Sequence, residues 1–256
     1  MKKIVSLLIV AVLALGMLSA CAEGITKITF ATNPEFPPFE SVSANGIMTG
    51  ADGTGYDGID IAIVVKLGEM LGCEVEMQSM EFDSLLVALQ NGMIDATIAG
   101  MTVTEERAQS VDFSTPYYTA TQVMIVREDS DIASAADMQG KTIAVVQGYT
   151  GQTCVEELGY TSDQYEAFKK GTECVMELVN GKCDVVVIDS ATAQKYVADN
   201  TGLKIVEDNE AFASEEYAIA VQKGNTELLD AINAAIESML ADGTISEIAA
   251  SYIDAD

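Results

Sequence analysis

Short apolar segments alternate with amphipathic helical segments along most of this chain, and this alternation is the strongest constraint on its fold. Continuous apolar runs at residues 142–146 and 184–188 predict buried strands. Apolar residues recur at helical spacing from Ile59 and predict a helix that ends at Gly72. Repeated strand–helix alternation predicts an α/β fold, and a chain of this length predicts two lobes.

The same patterns predict further elements and their ends. Strands are predicted around Ile28, Val75 and Thr97. Asp83 is the predicted N-cap of a helix over residues 84–91, and Asp189 with Ser190 begins another. Helices are also predicted at residues 151–158, 172–180 and 226–240.

The first residues predict an exported protein. Lys2 and Lys3 precede an apolar stretch at residues 4–17, whose length is typical of a signal segment and too short for a confident membrane span. The sequence Leu-Ser-Ala-Cys21 resembles a bacterial lipoprotein cleavage box. The resemblance implies that residues 1–20 are removed and that Cys21 is lipidated, which would anchor the protein to the outer face of the cytoplasmic membrane.

The charge balance excludes one class of partner. Removing residues 1–20 takes away two lysines and no acids, so the formal charge changes from −27 to −29 over the remaining 236 residues. A surface this acidic argues against nucleic-acid binding, which needs basic groups. Because 49% of the residues are hydrophobic and their positions are periodic, the charge does not predict disorder.

Four further cysteines, Cys73, Cys154, Cys174 and Cys183, lie in or beside apolar segments. They lack the paired close spacing of a zinc site, and the sequence contains no histidine to complete one, so no metal site and no cofactor are predicted. Oxidation to disulfides remains open, with three possible pairings, but the apolar surroundings favour small buried side chains.

Residues 95–118 carry a candidate binding motif. A short apolar strand runs into Gly100, and a short helix follows with Thr104 as its predicted N-cap. Such a turn directs backbone N–H groups and the positive end of a helix dipole at one point. Arg107 lies in the first turn of that helix, and its planar guanidinium binds carboxylates bidentately. The segment therefore predicts a socket for a small anion, most naturally a carboxylate.

The run from Gly100-Met-Thr-Val-Thr-Glu-Glu-Arg107 to Val-Asp-Phe-Ser-Thr-Pro-Tyr-Tyr118 resembles the signature of the polar amino-acid solute-binding proteins of ABC transporters. The resemblance extends through nearly the whole chain after residue 24. It implies a type II periplasmic-binding-protein-like fold, in which two βα lobes are joined by a two-strand hinge.

The resemblance also implies domain boundaries. The hinge crossings are expected at residues 117–123 and 213–218, with the first lobe formed by residues 25–118 and 218–256 and the second by residues 122–212. One segment departs from the family pattern, because a glycine-rich insert at residues 46–55 precedes the first long helix.

The resemblance implies ligand-binding residues in the first lobe. Phe36 and Phe82 correspond to aromatic residues on either side of the ligand side chain, and Asn33 to a position near its tip. Gly100 would offer a carbonyl to the ligand ammonium, Thr102 an N–H and a hydroxyl, and Arg107 its guanidinium to the carboxylate. Glu40 is left open between a role near the side chain and an exposed position.

The second lobe is expected to contribute three residues. Gln147 would contact the ligand side chain, and Thr150 corresponds to a carboxylate-binding position. Asp189 corresponds to an acid that pairs with the α-ammonium, although an Asp after a strand is also a common N-cap. A phosphate loop is disfavoured at residues 146–151, because the Gly-Lys-Ser/Thr ending is missing.

The predicted function is capture of a polar L-amino acid by a lipid-anchored monomer, which closes about its hinge and passes the ligand to an ABC permease. Two alternatives are an enzyme of the same fold, of the cyclohexadienyl or arogenate dehydratase type, and a sensory ligand-binding protein. The sequence has no histidine and no nucleophile–base pair, which favours binding over catalysis.

The same absence of histidine predicts a flat pH profile. An aspartate that pairs with an ammonium should have a lowered pKa, and arginine stays charged. Affinity is therefore expected to be nearly constant from about pH 6 to about pH 8.

Overall fold

A computed structural model of the chain describes residues 24–253. The predicted signal segment at residues 1–20 and the predicted lipidation site Cys21 lie outside this part. Within it, two mixed sheets form two lobes, and each sheet packs helical segments against both of its faces. The α/β architecture predicted from the alternating pattern is confirmed.

The elements described in residues 24–253 are numbered in chain order. The strands are β1 (Lys27–Thr32), β2 (Glu35–Phe36), β3 (Glu40–Val42), β4 (Met48–Thr49), β5 (Gly55–Asp57), β6 (Glu74–Ser79), β7 (Ala96–Thr97), β8 (Val111–Phe113), β9 (Tyr118–Arg127), β10 (Ile143–Val146), β11 (Tyr165–Phe168), β12 (Val185–Asp189), β13 (Leu203–Val206), β14 (Ser214–Tyr217) and β15 (Ala220–Gln222). The helices are α1 (Ile59–Leu71), α2 (Phe82–Gln90), α3 (Glu105–Ala108), α4 (Thr150–Glu157), α5 (Gly171–Val179), α6 (Ser190–Asp199), α7 (Thr226–Asp242) and α8 (Thr244–Ile253), with a 3-10 helix at Ala135–Met138.

The first lobe is built on a sheet with the strand order β6-β1-β7-β15-β8. β1 pairs in parallel with β6 and β7, whereas β15 runs antiparallel to β7 and β8. Successive residues of β1 face opposite sides of the sheet. Phe30 therefore packs in the cluster that includes α1 and α7, while Ala31 packs with Leu85 and Leu89 of α2.

The glycine-rich insert forms part of a second, small sheet of the first lobe. Its strands β4 and β5 pair antiparallel, with Met48 opposite Tyr56, and β5 pairs with β3. The connecting turn is stabilised by Asp52, whose Oδ1 accepts the N–H of Thr54 at 2.9 Å. Gly53 has a φ of +83°, which glycine adopts without strain. The insert is thus a hairpin that leads directly into α1.

The second lobe is built on a sheet with the strand order β11-β10-β12-β9-β13. β12, predicted at residues 184–188, begins and ends one residue later. Val185 and Val187 face the cluster that includes Val155 of α4, whereas Val186 and Ile188 face the cluster that includes α5 and α6. Burial on both faces explains why this strand is continuously apolar.

Two antiparallel strands connect the lobes. The first half of β9 pairs with β14, with Tyr118 opposite Tyr217 and Thr121 opposite Ser214. The remainder of β9 enters the second sheet, and β14 leads back to β15 in the first sheet. A hinge of two strands is therefore present within the crossings expected from the sequence.

The helix ends agree with the sequence at some positions and differ by one or two residues at others. Thr104 is the N-cap of α3, and its Oγ1 accepts the N–H of Arg107 at 3.1 Å. Asp83 is not the N-cap of α2, because the extended residue Glu81 occupies that place and its carbonyl accepts the N–H of Ser84. Asp83 lies in the first turn instead, where its carboxylate pairs with Lys169.

The cysteines of the described part are all free thiols. Cys174 and Cys183 are buried, as expected for small apolar side chains, whereas Cys73 and Cys154 are only half-buried. Within residues 24–253 no group of His, Cys, Asp and Glu side chains is arranged to hold a metal ion. None of the helices described there is both long and apolar enough to span a membrane.

Candidate functional site

The turn after β7 brings the backbone of Gly100 close to the facing aromatic ring. Gly100 has a φ of +51°, and a Cβ at this position would lie 2.5 Å from Cε1 of Phe36. Its N–H donates to Oδ2 of Asp60 at 2.8 Å. The conformation and the close approach both require glycine, so the turn is fixed against Phe36 and α1.

Arg107 connects the two lobes through its guanidinium. Nη1 donates to the carbonyl of Thr102 at 2.8 Å, and Nη2 donates to the carbonyl of Gly148 in the second lobe at 3.0 Å. The guanidinium carbon lies 5.3 Å from the ring centroid of Phe82. Burial lowers the pKa of Arg107, while the nearby carboxylates of Glu215 and Asp189 raise it. The residue is therefore a half-buried cation held at the cleft.

Two hydroxyl groups from opposite lobes converge on one carboxylate. Oγ1 of Thr102 and Oγ1 of Thr150 donate to Oε2 of Glu215 at 2.7 Å and 2.6 Å. Thr150 is the first residue of α4, and its Oγ1 also accepts from the Gln122 side chain at 3.2 Å. The hydroxyls of Thr102 and Thr150 thus share one partner, the carboxylate of Glu215.

Asp189 is buried at the carboxyl end of β12, and it occupies the N-cap position of α6. Within the described residues its side chain makes no capping hydrogen bond; Oδ1 instead accepts the hydroxyl of Tyr217. Burial, together with the neighbouring charge of Glu215, raises the pKa of Asp189 to about 7. The predicted lowering of this pKa refers to an Asp189 that is paired with the ligand ammonium, whereas burial dominates in the site without a ligand.

An aromatic cluster forms the other wall of the site. The ring of Tyr149 lies 5.4 Å from that of Phe36 and 4.6 Å from that of Phe82, edge-on in both pairs. Its hydroxyl donates to Oδ1 of Asn33 at 3.3 Å, and Nδ2 of Asn33 donates to the carbonyl of Met80 at 3.1 Å. Tyr149 therefore joins the two predicted aromatic residues across the cleft.

Most of the predicted residues share one cavity between the lobes, whose volume is about 10 Å³. That is room for about one water molecule, so an amino acid enters only if the lobes separate. Two of the predicted residues do not line this cavity: Gln147, which is exposed, and Asn33, which is buried. The lining residues are Phe36, Phe82, Ala99, Gly100, Thr102, Arg107, Tyr149, Thr150 and Asp189.

Two residues with functional side chains at the site, Tyr149 and Glu215, are absent from the sequence prediction, as is the small lining residue Ala99. Tyr149 belongs to the same turn as Gln147 and Thr150, and its aromatic side chain in a strand-to-helix turn was an available signal. Glu215 lies in β14, where the local pattern indicates only a connecting strand. No signal in the sequence places its carboxylate beside Thr102 and Thr150, because residues more than 60 positions apart meet only through the fold.

Known proteins resemble this chain over most of its length. The sequence profile of the bacterial extracellular solute-binding proteins, family 3, matches residues 28–255. A probable histidine-binding protein of Neisseria gonorrhoeae is 34% identical over 226 residues, which cover 87% of this chain and 81% of the relative. ABC transporter arginine-binding protein 1 of Escherichia coli (strain K12) is 32% identical over 257 residues, 97% of each chain.

A solved structure of a binding protein also resembles this chain. The arginine-, lysine-, histidine-binding protein ArtJ from Geobacillus stearothermophilus superposes with a TM-score of 0.81 at 34% identity, over 89% of this chain and 95% of that one. The chain belongs to the bacterial extracellular solute-binding proteins, family 3. The predicted family and the type II fold are confirmed, and the protein acts outside the cytoplasm.

The relatives also bear on the choice between binding and catalysis. The proteins named above are binding proteins, two of them from the curated sequences and one from the solved structures. The prediction of a binding protein rather than an enzyme is therefore confirmed, and the dehydratase alternative receives no support.

Proposed function

We propose that this protein captures a polar L-amino acid between its two lobes and delivers it to an ABC importer. The observation that carries the proposal is the convergence of Arg107, the hydroxyls of Thr102 and Thr150, and the carboxyl of Asp189 on one interlobe cavity. A cation and two hydroxyls suit an α-carboxylate, and a buried acid suits an α-ammonium. The named relatives that bind arginine, histidine or lysine support the same class of ligand.

Each end of the amino acid has a proposed partner. Arg107 and the hydroxyl of Thr150 bind the carboxylate after the Glu215 side chain has moved away from the two threonines. Asp189 and the carbonyl of Gly100 bind the ammonium. Phe36 and Phe82 flank the side chain, with Asn33 near its tip, while Gln147 reaches the ligand only if its turn moves.

Hinge closure is the proposed mechanism. Because the binding groups come from both lobes, an amino acid makes its full set of contacts only when the lobes are together, and it therefore favours the closed arrangement. The proposed moving units are residues 25–118 with 218–256, and residues 122–212. The two pairing strands of the hinge support a bending motion without a flexible linker.

A thermal-shift screen tests the proposed ligand class. The purified protein is mixed with each standard amino acid and with ornithine, citrulline and cystine, and its unfolding temperature is measured. A ligand that binds only the folded protein raises that temperature by an amount that grows with the logarithm of its concentration over Kd. Stabilisation by one polar amino acid but not by its N-acetyl or amide derivative is the expected result. A panel without any shift would contradict the proposal.

The lipid anchor is proposed on the sequence pattern at Cys21. The variant Cys21→Ser should not be lipidated and should be released from, or fail to mature at, the membrane. Metabolic labelling with a fatty-acid analogue, followed by fractionation after a carbonate wash, measures this. Equal labelling and equal membrane retention of variant and wild type would exclude Cys21 as the anchor.

A further inference from the structure

Two buried acids lie together beneath the Gly100 turn. Glu40 is the first residue of β3, Asp60 lies in the first turn of α1, and both are fully buried. The two segments are joined by the backbone N–H of Asp60, which donates to the carbonyl of Phe39 at 3.0 Å. Each carboxyl group affects the pKa of the other, so the two side chains are neighbours in this buried region. Glu40 is thus neither exposed nor a lining residue of the cavity.

The hydrogen bonds of this pair leave a place for one proton. Oδ2 of Asp60 accepts both the Gly100 N–H at 2.8 Å and the Tyr117 hydroxyl at 2.9 Å. Within residues 24–253, Oδ1 of Asp60 and both carboxyl oxygens of Glu40 have no hydrogen-bond partner. If Glu40 carries a proton, it supplies the donor that Oδ1 of Asp60 lacks. Two ionised carboxylates in contact and out of water would instead repel each other.

The electrostatics distinguish the two acids. Burial and the neighbouring charge of Asp60 raise the pKa of Glu40 well above its ordinary value. Burial also raises the pKa of Asp60, to about 7, but the N–H of Gly100 and the hydroxyl of Tyr117 stabilise its ionised form and oppose the rise. The other titratable groups that act on the pair are Tyr149 and Asp189 of the second lobe. These hydrogen bonds therefore favour the charge on Asp60 and the proton on Glu40.

We propose that Glu40 and Asp60 hold one proton between them, and that ionised Asp60 is a positioning residue that fixes the Gly100 turn for the ligand ammonium. This inference rests on the proposed amino-acid binding. Asp60 anchors the turn through the Gly100 N–H and ties it to the entry of the hinge through Tyr117. Its negative charge beneath the turn also favours a cationic group over a neutral one at the adjacent carbonyl.

The protonation state is tested without any ligand. The protein is labelled with ¹³C at the carboxyl carbons of Glu and Asp, and their chemical shifts are followed by NMR as the pH changes. We expect one Glu resonance in the protonated range at pH 7, lost in Glu40→Gln and retained in the control Glu128→Gln, whose side chain is exposed. Tyr117→Phe should raise the midpoint at which Asp60 titrates, because it removes a donor to the ionised form. Only ionised Glu carboxyls at pH 7 would overturn the proposal.

The positioning role is tested by calorimetry with the amino acid identified in the thermal-shift screen. Asp60→Asn should weaken binding by about tenfold or more, since it removes a charged acceptor of two hydrogen bonds. Tyr117→Phe should weaken it less, and Glu128→Gln should match wild type. If Asp60→Asn does not fold, Tyr117→Phe decides the question by the same titration.

The calorimetry distinguishes a failure of the positioning role from a failure of amino-acid binding. A folded Asp60→Asn protein that binds within about twofold of wild type would overturn the positioning role and leave amino-acid binding intact. A wild-type protein that binds no amino acid would contradict the proposed function and with it the positioning role, whereas the NMR titration would still decide whether the two acids share a proton.

Discussion

At the scale of single residues, the site depends on charges that the fold has removed from water. Arg107 has two backbone carbonyls and a ring as neighbours, and Asp189 has a tyrosine hydroxyl and a second acid. Removing one member of a buried charge pair leaves its partner uncompensated, which costs more than the pair contributes. Substitutions at these two residues should therefore affect binding far more than their small number of contacts indicates.

Arg107→Ala should weaken amino-acid binding by about 2–5 kcal/mol, because the ligand carboxylate would be buried without its cation. Isothermal titration calorimetry measures the change. Arg127→Ala is a matched control, since Arg127 donates to Leu178, Cys183 and Asp184 inside the second lobe and should alter the unfolding temperature rather than the affinity. An affinity of Arg107→Ala within about threefold of wild type would remove Arg107 from the site.

The raised pKa of Asp189 changes the expected pH dependence. Binding of an ammonium requires the ionised carboxylate, and with a pKa of about 7 this form is lost as the pH falls below neutrality. Affinity should therefore decrease from about pH 8 to about pH 6, by up to about tenfold per pH unit at the acid end, instead of staying flat. Because the ligand ammonium stabilises the ionised form, binding at pH 7 should also release protons.

Calorimetry in buffers of different ionisation enthalpy measures both effects. Asp189→Asn should bind weakly and lose most of the pH dependence, and any remainder would report on Asp60. A wild-type affinity that is constant across this pH range would contradict this account and support the flat pH profile predicted from the sequence.

At the scale of elements, β14 does more than connect the lobes. It carries Glu215 and Tyr217 two positions apart, so both side chains project from the same face of the strand towards Asp189. The two residues act on Asp189 in opposite directions, since the charge of Glu215 raises its pKa and the hydroxyl of Tyr217 lowers it. The return strand of the hinge is thereby part of the binding electrostatics.

Single substitutions in β14 should move the pH profile of binding in opposite directions. Glu215→Gln removes a neighbouring negative charge, so the midpoint of the affinity profile should move to lower pH. Tyr217→Phe removes a donor to the ionised carboxylate, so the midpoint should move to higher pH. Glu216→Gln, on the opposite face of the strand, is the control. Shifts of the same sign in both variants would contradict this account.

One short segment of the second lobe forms ion pairs with two segments of the first lobe across the cleft. Lys169 and Lys170, between β11 and α5, pair with Asp83 at 3.2 Å and with Glu35 at 2.7 Å in the first lobe. Both pairs are partly exposed, so each should contribute only about 0.2–1 kcal/mol to closure.

Lys170→Ala should therefore weaken binding by less than about fivefold, mainly through faster ligand dissociation, and the effect should diminish in about 1 M salt. Stopped-flow dissociation rates at low and high salt measure it. Lys195→Ala is the control, because its partner Asp199 lies on the same helix. An equal effect of both variants would argue against a contribution from the pair across the cleft.

At the scale of the whole molecule, the cavity between the lobes holds about 10 Å³ and its walls come from both sides. Ligand entry therefore requires an opening about the two strands of the hinge. Saturating amino acid should lower the radius of gyration in solution X-ray scattering, because the bound ligand favours the closed lobes. An amino acid without effect in the thermal-shift screen provides the control. An unchanged radius of gyration with the stabilising ligand would indicate that the free protein is already closed.

Most of the fold could be predicted from local pattern. The period of 2 in β1, the continuous apolar run of β12 and the helical spacing from Ile59 each specify an element whose burial the structure confirms. The motif from Gly100 to Arg107 specifies a turn, an N-cap and a cation within a few residues. These features depend on neighbours in the sequence, and a single sequence contains that information.

The tertiary structure alone decided the electrostatics of the site. Asp189 has a raised pKa because the lobes bury it beside Glu215, and Glu40 is fully buried because β3 packs onto the start of α1. Exposure, hydrogen-bond partners and neighbouring charges are set by residues that are distant in the chain, and no local pattern encodes them. The sequence by itself therefore determined the family and the elements with a strong apolar pattern, while the packing of the lobes determined the burial and the neighbouring charges of the polar groups at the cleft.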